Sequence, residues 1–130
     1  MRQSYCMNCF SRMPSSAAAC PACGAAVEAM SAADYQAKLV RALRHPLAEV
    51  RMRAVIALGL QRDAQTAGEL VRCALRHPRD VVEGLEVIRS LQRLPPGASR
   101  AAALHSLHDQ HPAWAVRKAA AAALAEDRDA

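Results

Sequence analysis

Leu43-Arg44-His45-Pro46-Leu47-Ala48-Glu49-Val50-Arg51-Met52-Arg53-Ala54-Val55-Ile56-Ala57-Leu58-Gly59 sets the architecture, because the chain repeats it. Leu43-Arg44-His45-Pro46 returns as Leu75-Arg76-His77-Pro78 and, more loosely, as Asp109-Gln110-His111-Pro112. The His-Pro pairs are 32 and then 34 residues apart, a period typical of stacked helical pairs. Val50, Arg51, Ala54, Ala57 and Leu58 recur at a constant offset as Val116, Arg117, Ala120, Ala123 and Leu124. The middle copy lacks the Val-Arg pair, but Val81, Leu85 and Ile88 keep an i, i+4, i+7 stripe.

Proline fixes φ, lacks an N–H and disfavours helix in the residue before it. Each His-Pro therefore ends one helix and opens the next, with proline in the first turn. First helices are expected over about residues 33–44, 65–76 and 98–109, and second helices over 47–61, 79–93 and 113–126. Val50, Ala54, Ala57 and Leu58 share one face, and the small alanines let neighbouring helices approach closely. Gly59 marks a loosening helix end, and Leu94-Pro95-Pro96-Gly97 is a break. Composition agrees: 30 of 130 residues are alanine and only 3% are aromatic, which disfavours a large sheet.

The pattern His-Pro, Val-Arg, spaced Ala and Ala-Leu-Gly resembles the bacterial HEAT-like repeats also found in phycobilin lyases. The resemblance covers about residues 33–126 and implies a mainly α fold: a three-repeat HEAT-like α-solenoid of about six helices, in hairpins 33–61, 65–94 and 98–126. Such solenoids are usually protein-binding scaffolds, and lyase chemistry does not follow from the repeat.

Residues 1–30 differ in composition from 31–130 and form a separate module. Cys6-x-x-Cys9 and Cys20-x-x-Cys23 stand ten residues apart. Two such turns supply four sulfurs for a tetrahedral ion. Pro21 shapes the second turn, and Gly24 tolerates the positive φ that often follows a second ligand. A segment this short needs metal to fold. The pattern resembles zinc-ribbon knuckles and implies one structural Zn2+ on Cys6, Cys9, Cys20 and Cys23, with no open position for a substrate. Iron, as in rubredoxin, and a pair of disulfides are the alternatives. Rubredoxin spaces its knuckles further apart and covers the metal with aromatics, whereas Tyr5 and Phe10 alone flank this site. The join, residues 27–31, has no Gly/Ser run and reads as short or even helical, and Ser31 with Asp34 reads as a helix start.

No uninterrupted apolar run reaches the roughly 18–20 residues that span a bilayer. Met1-Arg2-Gln3-Ser4-Tyr5-Cys6 contains no apolar signal segment. A soluble cytoplasmic protein with no membrane partner is expected. Net charge is +5, better read as solvated helix faces than as a nucleic-acid footprint. There is no Gly-rich phosphate loop, Gly-x-Ser-x-Gly or His-Glu-x-x-His, so no enzyme is expected. Glu83/Glu86 and Glu126/Asp127/Asp129 read as solvated acids.

Cys73 reads as a small core residue. His45, His77 and His111 read as turn residues that bond carbonyls of the preceding helix. His105 and His108 read as surface or cap histidines rather than a second metal site. Arg51 and Arg117 are open to structural pairing, with Asp80 the available acid for the first, or to partner contact. Trp114 either caps the end of the stack or anchors a partner. The expected function is a non-enzymatic scaffold for a protein partner. Nucleic-acid binding through the zinc module and the basic second helices is the alternative. The candidate contacts are Arg51, Arg53, Arg89, Arg93, Trp114, Arg117 and Lys118.

Overall fold

A computed structural model describes residues 3–6, 8, 9, 11–24, 26 and 32–129, with side chains from residue 35 onward in the first helix. The expected join at 27–31, the helix-start signal of Ser31 and the Asp34 side chain, and the flanking Phe10 lie outside the described residues. Two short strands, β1 (Gln3–Tyr5) and β2 (Arg12–Pro14), pair antiparallel with Ser4 opposite Met13. Six α-helices follow among the described residues: α1 (Ala32–Ala42), α2 (Ala48–Gln61), α3 (Ala67–Arg76), α4 (Val81–Arg93), α5 (Ala98–Gln110) and α6 (Trp114–Asp129), with a 3-10 turn at Ala64–Thr66 leading into α3. The molecule is therefore mainly α with a small N-terminal two-strand sheet.

The helices pair as α1 with α2, α3 with α4, and α5 with α6. Second helices also pack in series, α2 on α4 and α4 on α6, while α3 packs on α5. The second helices run in the same direction. Arg51 meets Glu83 near the starts of α2 and α4, Ser90 meets Val55 further along, and Gln92 meets Glu126 near the ends of α4 and α6. Leu43, Leu58, Leu70, Leu91, Leu104 and Leu107 are fully buried in one continuous core. Ala54 and Ala120 are also fully buried, as close helix approach requires.

Two details differ from the sequence reading. The prolines are not in the first helical turn: Pro46, Pro78 and Pro112 each precede their helix by two residues or more. Gly59 is not a helix end either. It lies inside α2, where an added Cβ would sit 2.7 Å from Ser90 Oγ and 2.9 Å from Ser90 Cα. Its small size is needed for the crossing of α2 and α4. The helix runs on to Arg62, whose left-handed φ of 57° ends it, with the Arg62 N–H donating to the Gly59 carbonyl.

Candidate metal centre and the basic second helices

The hairpin of β1 and β2 holds the first cysteine pair in its loop. The Cys6 amide donates to the Ser11 carbonyl at 2.9 Å and closes the loop around Cys9. The second pair sits in a turn closed by the Gly24 amide on the Cys20 carbonyl at 2.8 Å. Gly24 has φ 79°, the left-handed geometry expected for the residue after the second ligand. All four Sγ atoms lie within 4.8 Å of one another, with Cys6–Cys23 at 3.7 Å and Cys9–Cys20 at 3.6 Å. A tetrahedral ion with Zn–S bonds of about 2.3 Å needs sulfurs about 3.8 Å apart. The four cysteines thus fit a metal ion such as zinc.

The polar surroundings fit it as well. The Asn8 amide donates to Cys6 Sγ at 3.2 Å and the Ala22 amide to Cys20 Sγ at 3.4 Å. Asn8 Nδ2 adds a bond to Cys23 Sγ at 3.4 Å. Backbone donors aimed at sulfur favour the thiolate. Burial pushes the Cys9 thiol up, but bonds from Ser11 and Cys20 bring it below its ordinary value. Cys20 goes the other way. The Cys23 amide pulls it down, but burial and the Cys6 and Cys9 thiols push it up to about 11. Four crowded sulfurs cannot all ionise alone, and a bound dication relieves their repulsion. Cys6, Cys20 and Met13 are the buried core of this module.

Among the described residues, two side-chain contacts join the module to the helices. Arg53 of α2 lies over the Tyr5 ring at 4.7 Å, and Lys38 of α1 donates to Asn8 Oδ1. Asn8 therefore bridges the Cys23 sulfur and α1.

The seven candidate contact residues have varied fates. Arg51 is buried at 7% exposure: its Nε donates to Glu83 Oε1 at 2.9 Å, and its Nη1 donates to the His45 and Pro46 carbonyls at 2.9 and 3.0 Å. Asp80, the acid expected beside it, makes a longer ion pair with Arg51 Nη2 at 4.0 Å and also caps α4, accepting from the Glu83 amide. Arg117 repeats the loop contact two periods on, donating to the His111 and Pro112 carbonyls at 3.0 and 2.6 Å. Arg53 is engaged with Tyr5, Arg89 pairs with Glu86 at 3.4 Å, and Arg93 is exposed. Trp114 is 65% exposed with Lys118 over its ring at 4.8 Å.

Glu83 is only 1% exposed, so it is not the solvated acid that its sequence context implied. Arg100 and Asp127 form another internal pair: Arg100 Nε donates to Asp127 Oδ2 at 3.0 Å, and its Nη1 donates to the Gln92 and Leu94 carbonyls. That arginine closes the Pro95-Pro96 break. The histidines split in role. His45 and His111 accept, through Nδ1, from the amide two residues on, whereas Nδ1 of His77 lies 2.9 Å from the Cys73 carbonyl, as expected of a turn histidine. His105 and His108 line an apolar-walled cleft between α5 and α6 of about 420 Å³. Among the described residues, no helix is long and apolar enough to cross a membrane. No protein family, curated protein or solved structure matches the chain.

Proposed function

We propose that this chain is a non-enzymatic cytoplasmic scaffold: a HEAT-like stack of three helical hairpins, with a structural zinc module on Cys6, Cys9, Cys20 and Cys23, that binds a partner protein. The serial packing of second helices supports the stack. A closed four-thiolate shell supports a structural rather than catalytic ion, since it leaves no ligand position for a substrate.

One observation carries the partner reading. Leu47, Val82 and Trp114 are 55%, 69% and 65% exposed, and all three stand at the starts of the parallel second helices. Large apolar side chains along one edge, ending in a tryptophan, suit a protein interface with an apolar anchor. The basic residues favour this reading over nucleic acid. Arg51 and Arg117 serve the fold, Arg53 and Lys118 lie on aromatic rings, and Arg89 faces an acid.

A photo-crosslinking residue at position 114 should capture a protein, and Leu47→Asp should abolish that adduct. Trp114→Ala should weaken the complex at least about tenfold. Binding of single-stranded or duplex nucleic acid at micromolar or tighter affinity in about 150 mM salt, lost in Arg93→Glu with Lys118→Glu, would overturn the reading.

A further inference from the structure

We propose a second metal site, on Cys73, His77 and Glu83, that takes a thiophilic divalent ion such as Zn2+ or Co2+ and staples α3 to α4. The three ligand atoms lie within 4.8 Å of one another, far from the four-cysteine cluster in sequence. Cys73 and His77 are four residues apart, so α3 and its end present both on one side. Glu83, in the first turn of α4, closes the set.

The polar contacts show a crowded oxygen. Glu83 Oε1 is approached by Arg51 Nε at 2.9 Å, Cys73 Sγ at 3.1 Å and His77 Nδ1 at 3.5 Å. A carboxylate oxygen offers two lone pairs, one fewer than the groups around it. Arg51 Nη2 holds the second oxygen at 3.4 Å. Cys73 Sγ also lies 3.6 Å from the Leu43 carbonyl, and His77 Nδ1 is 2.9 Å from the Cys73 carbonyl. One ion bound to Sγ, Nδ1 and Oε1 replaces two of the three competing contacts, while Arg51 stays and orients the carboxylate from outside. Sulfur, imidazole and carboxylate together select a borderline-soft ion over Mg2+ or Ca2+.

Binding exchanges a proton for the ion. The Cys73 S–H bond breaks, the metal–sulfur bond forms and the proton leaves to solvent. His77 gives up its Nδ1–H bond to the Cys73 carbonyl, solvent takes that hydrogen and supplies one to Nε2, and the freed Nδ1 lone pair turns to the metal. The thiol and the carboxylate are fully buried, but the His77 side chain is 27% exposed. The ion enters past that histidine, and the fourth position faces the same way, open to water or a small anion. Burial chiefly, with Glu83 beside it, pushes the Cys73 thiol up to about 12, so uptake should strengthen as pH rises.

Full chain preloaded with one equivalent of Zn2+ is titrated with Co2+ at slightly alkaline pH. The expected result is a second equivalent bound, with a sulfur-to-cobalt absorption band of single-thiolate strength. Cys73→Ser and His77→Gln should each remove that second equivalent and leave the first in place. His77→Gln changes a partly exposed side chain and serves where Cys73→Ser fails to fold. Saturation at one equivalent, or a second equivalent that persists in both variants, overturns the proposal.

Discussion

Gly59 is the residue at which helix propensity and packing oppose each other. Alanine is the better helix former by about 1 kcal/mol. Its Cβ would nevertheless meet Ser90 Cα at 2.9 Å, and Ser90 is pinned by its hydroxyl donating to the Val55 carbonyl at 2.7 Å. Overpacking should win, and Gly59→Ala should destabilise by roughly 1–3 kcal/mol, read as a lower urea midpoint. His111 gives a prediction of another kind. It is 1% exposed, Nδ1 accepts from the Ala113 amide, and burial first, then Arg117, lowers its pKa. The folded state therefore binds the proton less readily than the unfolded state. Its stabilising contribution is full above the ordinary histidine value near 6.5 and is lost as pH falls below it. Urea midpoints from pH 7 to 5 should decline, and His111→Gln should flatten that slope; an unchanged slope would show that other groups set it. None of this was legible beforehand. A glycine near a helix end and a histidine before proline look alike whether they are packed or exposed.

At the scale of elements, six helices and their order were legible from the His-Pro period, with boundaries within about three residues. That signal is strong because proline acts locally and apolar spacing acts over a whole helix. Loop closure was not legible. The Val-Arg recurrence was open to ion pairing, which Arg51 makes with Glu83, but what the arginines of copies one and three share is donation to the two carbonyls of their own His-Pro loop. In the middle copy the Asp80 amide donates to the His77 carbonyl at 3.0 Å, while the Asp80 carboxylate caps the helix. Glu83 and Asp127 were misjudged for a related reason: their partners lie 32 and 27 residues earlier, beyond any local pattern. The alanine register was legible, since Ala54 and Ala120 are fully buried. Leucine at either position should overpack and cost about 1–3 kcal/mol in denaturant unfolding. An unchanged midpoint at both would contradict the packing of α2 on α4 and of α4 on α6.

Across the whole molecule, the clustering of the four cysteines was legible, because two Cys-x-x-Cys turns leave few other uses for their sulfurs. The contacts linking that module to the helices were not, since Asn8 and Lys38 are 30 residues apart and neither belongs to a motif. The separate cores of the two parts predict how they melt. Met13, Cys6 and Cys20 form one, and the helical leucines form the other. Chelation, or Cys20→Ser, should unfold the N-terminal segment and leave most far-UV helical signal intact. The exposed apolar edge should stay functional after that loss. Disappearance of most helicity on chelation would show instead that Lys38 and Arg53 hold α1 and α2 in place only while the module is folded.

The serial packing of the hairpins also bears on how the chain would respond to load. Each hairpin grips the next one along, so tension between residues 32 and 129 is carried by one interface at a time. Stretched in an optical trap, the helices should give way in steps rather than in a single rupture. Each step should release about 110 Å of contour, the reach of one repeat of roughly 33 residues. The hairpin of α3 and α4, held on both flanks, should be the last to yield.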